Sequence, residues 1–264
     1  MPFVLYEKKD KIAYITLNRP EKFNALSPEL INELSKIWVD FRDDDSVWVG
    51  IFTGAGKAFC SGVDIASDVE MLSLLGGKPP ARVISWMKEA PAWRASPANY
   101  NVSKPIIAAI NGHCLGGGLW LALESDIRIA AEAAQFGIPE PRLGMPASFT
   151  ALFQHYVPPG IAHEMLITCD RIGAQRAYEV GLVNRVVSSD QLLQTATEMA
   201  ERICQNSPLA IKAVKELLLK SRDMNRTDAM SLTDQVMHNI LGSPDIMEGF
   251  VAFVEKRKPV WKVK

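Results

Sequence analysis

The sequence predicts an α/β core that ends in a run of helices, and three observations carry that expectation. Apolar strand-like runs alternate with helical ones through the first half. Twice a glycine-rich loop follows such a run and opens a helix. From about Pro158 onward strand signals thin out and helical periodicity takes over. At 264 residues the chain has room for one large domain, or for a core with an appendage.

The elements follow in order. KIAYITL (11–17) sets Ala13, Ile15 and Leu17 on one face and Ile12, Tyr14 and Thr16 on the other, which is strand alternation. Ser27-Pro28-Glu29 offers a capping hydroxyl with proline at the first helical position. Leu30, Ile31, Leu34, Trp38 and Phe41 then recur at helical spacing to about Arg42. VWVGIFTG (47–54) is a buried strand that enters the loop GAGKAFCSG, and DIASDVEMLSLL predicts a helix ended by LGGKPP (75–80). PAWRASPANYNVSK (91–104) has no period and is expected to be an irregular flap. PIIAAI (105–110) is a second buried strand, leading into NGHCLGGG, and DIRIAAE is a third. The helical portion reads GIAHEMLIT, GAQRAYEV, DQLLQTATEMAERICQN, PLAIKAVKELLLKSRD and PDIMEGFVAFVEKR.

Composition excludes several classes of function. With 48% hydrophobic residues, 22% charged and a net charge of −1, the chain has no basic surface suited to nucleic acid. No run approaches the ~18 apolar residues of a membrane span. MPFVLYEKKD has no basic region followed by an apolar one, so no secretory leader is expected. Cys60, Cys114, Cys169 and Cys204 are scattered, with neither a CxxC pair nor metal-ligand spacing. Four free thiols, no metal and a cytoplasmic location are the expectation.

The two glycine loops carry the chemistry. A loop that leaves a strand and opens a helix presents unpaired N–H groups where the helix dipole favours negative charge. Two such ends converging can hold one oxygen that becomes anionic during reaction. GAGKAF lacks the third glycine of a dinucleotide fingerprint. It is not a P-loop either, because Ile51 stands where the first glycine belongs and Ala58 follows Lys57.

NRPEKFNALS, GAGKAFCSGVDI, KPIIAAINGHCLGGG, AQFGIPEPRLGMP, GLVNRVV and the closing FVEKRKPVW occur in this order across roughly residues 3–261. Together they resemble the successive signatures of the enoyl-CoA hydratase/isomerase (crotonase) superfamily. The resemblance implies a crotonase-like spiral of ββα units with a helical C-terminal trimerisation region. It implies a core over 1–190 holding an acyl-CoA site and an oligomerisation region over 191–264. The implied partner is an acyl-CoA thioester, with coenzyme A entering as part of the substrate and no other cofactor, in a homotrimer or hexamer.

Carried over by motif, the two main-chain donors for the thioester oxygen are Val63, in CSGVDI, and Gly117, the middle of GGG. Ala25, Ser61, Asp64 and Ile65 are implied to surround the adenine through main-chain atoms, and Lys22 to meet a phosphate. Phe253 and Lys256 match positions that reach a CoA held by a neighbouring subunit. His113 lies near the loop in sequence, where a structural histidine competes with a binding role.

One departure bears on the reaction. Two-glutamate hydratases of the family carry their first glutamate three residues after the middle glycine, and here that residue is Trp120. The second, at the end of the FGxPE stretch, is kept as Glu140. A lone carboxylate can take a proton and return it elsewhere while the enolate is held. A tryptophan excludes water and offers a flat apolar wall with one N–H. Family members with only the second glutamate include Δ3,Δ2-enoyl-CoA isomerases and hydroxycinnamoyl-CoA hydratase-lyases. The expectation is therefore an isomerase or atypical hydratase with Glu140 as the lone acid/base. The alternatives are a C–C lyase, decarboxylase or ring-opening hydrolase on a CoA thioester, and a non-catalytic CoA-binding or scaffold homologue. Glu124 reads as structural. Asp68, Glu70, Trp86, Tyr100 and His155 are further candidates for the acyl pocket, which Trp120 and Phe149 would narrow for a flat group.

Overall fold

The computed structural model describes residues 1–65 and 92–262. Val4–Lys9 (β1) and Ile12–Leu17 (β2) form an antiparallel hairpin, closed by Asp10 and Lys11 at φ 49° and 70°. β1 went unread in the sequence because its turn lacks the glycine or asparagine that usually marks two consecutive positive φ angles. Pro28–Asp43 (α1) buries Leu30, Ile31, Leu34, Trp38 and Phe41, the stripe that the spacing predicts, and Ser27 Oγ caps it by accepting Leu30 N–H.

From there the chain winds as a spiral. Val49–Gly54 (β3) and Ala58–Cys60 (β4) make its first turn, Ile106–Ile110 (β5) and His113–Leu115 (β6) its second, and Ile127–Ala131 (β7) and Gln135–Gly137 (β8) its third. The first strand of each turn enters one sheet and the second enters another. With Ile172–Gly173 (β9) and Arg185–Val187 (β10), the sheets run β1-β2-β3-β5-β7-β10 and β4-β6-β8-β9. Within them β2, β3, β5, β7 and β10 are parallel, as are β4, β6 and β8. Parallel strands covered on both faces read as unbroken apolar runs, which is why β5 is buried at every residue.

The helices of the second and later turns are Gly117–Leu123 (α2), Thr150–Phe153 (α3), Pro159–Thr168 (α4), Ala174–Glu179 (α5), Leu192–Ile203 (α6), Pro208–Lys220 (α7), Arg226–Ile240 (α8) and Pro244–Val254 (α9). α1 and the second sheet share one core, in which Trp38, Phe52 and Phe59 meet edge to face at 5.4 and 5.1 Å. α6 lays Leu192, Ala196, Met199 and Ala200 on the other face of the large sheet, against Ile51, Ile107 and Ile129. α8 was missed in the sequence. Its N-cap Asn225 accepts Asp228 N–H, but it buries only Val236 and so carries little apolar stripe.

The flap expected over 91–104 is irregular, as its composition implies, yet its described part is fastened. Ala92–Ala95 and Pro97–Tyr100 are 3-10 turns, and Trp38 Nε1 donates to the Ala95 carbonyl at 2.7 Å. Ser96 is buried and its hydroxyl donates to Glu124 Oε2 at 3.0 Å. The helix expected over DIASDVEMLSLL lies beyond Ile65 outside the described residues, with Asp68 and Glu70 on it, as does Trp86.

Candidate active site

β4, β6 and β8 end side by side, and each hands the chain to a candidate group within three residues of its last one. β4 leads to Val63, β6 to Gly117 and β8 to Glu140. Parallel pairing puts those exits on the same edge of the sheet. The register sets Leu115 opposite Gly137, and Gly116 N–H then donates to Gly137 O at 2.9 Å. Residues far apart in sequence are thereby brought together.

The direction of each candidate donor follows from peptide geometry. In a trans peptide the C=O and the following N–H point opposite ways. Gly62 C=O accepts Leu26 N–H at 2.8 Å, so Val63 N–H faces away from Leu26. Gly116 C=O accepts Trp120 N–H at 3.0 Å, so Gly117 N–H faces out of the helix start. Among the described residues neither N–H has an acceptor. The two loops touch, since a methyl placed on Gly62 would lie 3.3 Å from Gly117 N. Two unpaired N–H groups this close can polarise one carbonyl oxygen.

Glycine has distinct reasons along the second loop. Gly116 adopts φ 51° and ψ −124°, a conformation essentially closed to other residues. A Cβ there would also lie 2.5 Å from Glu140 Oε1, so the bare Cα is the seat of the carboxyl group. At Gly118 a Cβ would collide with the Cys60 carbonyl. Gly117 differs, because its φ is not positive and a Cβ would meet only ordinary contacts, the nearest being Leu26 Cδ1 at 3.4 Å. Nothing among the described residues requires glycine at 117.

Glu140 opens a 3-10 turn, Glu140–Leu143, between Pro139 and Pro141. It is half-buried, and Oε2 is buried with no hydrogen-bond partner among the described residues. Loss of solvent raises its pKa above the usual carboxylate value. Its own backbone N–H offsets part of that rise, and a desolvated carboxyl group with one oxygen unpartnered is suited to proton transfer.

Trp120 sits one turn beyond Gly117 on α2, with its ring stacked on Phe149 at 5.5 Å and 18°. Phe149 is buried and meets Phe153 edge to face. Phe149 covers one side of the half-buried indole, and among the described residues its Nε1 has no acceptor. Glu124, four residues on, is held by Ser96 Oγ, and burial raises its pKa.

The predicted binding residues fall in two groups. Ala25, Ser61, Asp64 and Ile65 gather where the NRPEKFNAL segment crosses the first loop. Ser61 N–H donates to Phe23 O at 3.0 Å and Asp64 N–H to Leu26 O at 3.3 Å. Asp64 is buried and ion-paired with Arg19 Nη1 at 2.5 Å, a partner that the sequence did not reveal. Asn24, fully buried at φ 56°, donates to the Ala55 and Ala58 carbonyls and accepts Arg19 N–H. Ile65 and Lys22 are exposed, and His113 packs its half-buried ring edge-on to Phe23 at 6.1 Å with Nδ1 unpartnered. Phe253, on α9 and 85% exposed, and Lys256 take no part in the hydrogen bonds and packing that build this cluster. Tyr100 commits its hydroxyl to Arg94 O, and His155 is exposed.

The spiral brings two amide groups without acceptors among the described residues and a carboxyl group to its strand ends, an arrangement able to polarise a carbonyl. The family description enoyl-CoA hydratase/isomerase matches residues 7–264. Carnitinyl-CoA dehydratase of Escherichia coli K12 is 38% identical over 263 residues, covering 97% of this chain and 96% of its own. That of Proteus mirabilis is 36% identical over 261 residues, 96% of each. The crystal structure of an enoyl-CoA hydratase/isomerase from Mycobacterium paratuberculosis superposes with a TM-score of 0.89 at 35% identity, covering 99% of both chains. An enoyl-CoA hydratase from Bacillus anthracis gives 0.91 at 32%, covering 99% of this chain and 100% of its own. The chain belongs to the enoyl-CoA hydratase/isomerase, or crotonase, family. It is an acyl-CoA-processing member with the crotonase fold.

Gly117→Ala should melt at or above the wild-type temperature, because alanine favours a helix by ~1 kcal/mol over glycine, while turnover falls. Gly118→Ala should lower the melting temperature, since Cys60 must shift; a normal Gly118→Ala melt refutes the packing. Glu140→Gln should be more stable than wild type at pH 8, with the gap closing as pH falls. A raised native pKa means ionisation works against folding, and that penalty vanishes below the unfolded carboxylate value of about 4.3. Urea melts at several pH values measure it, and a gap that widens on acidification refutes it.

Proposed function

We propose that the protein forms a thioester enolate and moves a proton along the acyl chain, as an enoyl-CoA isomerase. In this reading the Val63 and Gly117 amides hold the thioester oxygen. Glu140 takes a proton from the α or γ carbon and returns it to the other end of the allylic system, shifting the double bond. One observation supports this above the rest: the Glu140 carboxyl group lies against Gly116 with Oε2 unpartnered among the described residues, and an aromatic stack occupies the position where two-glutamate hydratases carry their first carboxylate. Room for a methyl at Gly117 that the chain leaves unused fits an acyl carbonyl docking there.

The similarity to carnitinyl-CoA dehydratases favours a second reading, loss of water from a 3-hydroxyacyl-CoA. Glu140 would then remove the α-proton and deliver it to the departing hydroxyl, again through the enolate. CoA itself would lie along Ala25, Ser61, Asp64 and Ile65, with Lys22 at a phosphate and His113 flanking Phe23. A copy of the chain would supply Phe253 and Lys256. α9 exposes Phe250 (68%), Phe253 (85%) and Val254 (78%), and α7 exposes Leu218 (69%), an apolar extent that self-association would cover.

Incubation in deuterated buffer with 2-enoyl-, 3-enoyl- and 3-hydroxyacyl-CoAs separates the readings by product mass and spectrum. A double-bond shift supports the first and water loss the second. Glu140→Gln should reduce α-proton exchange by at least ~100-fold, and an undiminished rate rules out its role. Trp120→Glu should increase water addition to a 2-enoyl-CoA at least ~10-fold over wild type by restoring a second carboxylate. Light scattering at micromolar concentration should return a trimer or hexamer; a monomer refutes the assembly.

A further inference from the structure

We infer that Cys60 and Cys114 are positioning residues that set the spacing between the two amide donors; this rests on the enolate reading above. Both side chains are fully buried; Cys60 ends β4 and Cys114 sits one residue before the end of β6, each just ahead of a candidate donor loop. They are paired neighbours across β4 and β6. The register advances from Ala58 opposite His113 to Cys60 opposite Cys114, so Phe59 is the extra residue of a bulge that brings the two cysteines level.

From that position each thiol holds one loop. Cys60 Sγ accepts the Gly62 N–H at 3.5 Å, satisfying a buried donor on the residue that precedes Val63. Gly62 is thus fixed on both sides, by sulfur at its N–H and by Leu26 at its carbonyl. Cys114 Sγ donates to the Gly118 carbonyl at 3.6 Å, within the first turn of α2. The same Gly118 rests on Cys60, where an added Cβ would lie 2.7 Å from Cys60 Cβ. The helix that presents Gly117 is therefore seated on one cysteine and tied by the other. The first loop is tied by the cysteine on which that helix sits.

The thiols act as neutral groups. Burial pushes Cys60 up to about 12 and Cys114 well above the ordinary thiol value, so neither is a nucleophile. A sulfur accepts and donates at longer reach than oxygen, which matches the 3.5 and 3.6 Å contacts. Alanine at either position keeps the backbone path and removes one hydrogen bond. The donor it orients then drifts, while the surfaces that bind CoA stay as they are.

The experiment compares Cys60→Ala, Cys114→Ala and the two serine variants with wild type in three measurements. These are α-proton exchange on an acyl-CoA, the split of kcat from KM on that substrate, and binding of a CoA thioether that lacks the carbonyl oxygen. Each alanine variant should lose about tenfold in exchange and kcat, with KM within about threefold and thioether binding unchanged. Serine restores a hydrogen-bonding group and should recover most of the loss. Alanine variants that exchange at the wild-type rate overturn the inference, as do serine variants no better than alanine. Should the alanine variants fail to fold, serine against valine makes the same comparison, since valine fills the site without hydrogen bonding. A wild-type protein that binds acyl-CoA yet exchanges no proton removes the enolate reading, and the inference with it.

Discussion

The hydrogen bond from Leu26 N–H to Gly62 C=O governs much of the site. Because a peptide is planar, anchoring that carbonyl aims the next N–H, and Val63 cannot turn without breaking the bond. Much of the NRPEKFNAL segment serves to keep Leu26 in place. Asn24 clasps the first loop through the Ala55 and Ala58 carbonyls, and the Arg19–Asp64 ion pair closes the same segment onto the residue after Val63. Leu26 itself is fully buried beneath Gly117. A stretch that reads in sequence as a connection between a strand and a helix is thus the buttress of the donor pair.

The second constraint is electrostatic. Glu140 Oε2 gives up water without gaining a partner among the described residues, at a cost that the two flanking prolines and the parallel register of β6 and β8 hold in place. Its desolvation and its proximity to Gly116 arise from one cause, the close approach permitted by a residue without a side chain. Trp120 reinforces the dry character. Its backbone N–H fixes the Gly116 carbonyl while its ring, backed by Phe149, occupies volume that water would otherwise fill.

Legibility in the sequence divided along physical lines. The helix α1 was readable to within a residue because its stripe, cap and proline all agree. The large-sheet strands β3, β5 and β7 were readable because both faces are buried. The three-residue strands β4, β6 and β8 were not, since strands so short carry no period, although they place all three candidate groups. Val63, Gly117 and Glu140 were found by motif, and their convergence lay in pairings that no local pattern encodes. Arg19 escaped notice because its partner Asp64 is 45 residues away. The cysteines looked inert for the same reason: scattered in sequence, they meet only through a bulge.

The three consecutive glycines differ in how open they are to change. Gly116 and Gly118 are walled in by Glu140 and Cys60, so the architecture itself forbids any other residue. Gly117 is not enclosed in that way, and neither is the side chain of Trp120, whose ring rests on Phe149. An exchange of side chain at 120 leaves in place the backbone N–H that fixes the Gly116 carbonyl. What the main-chain bonds hold constant is the aim of two amides, and what they leave open is the surface beside them.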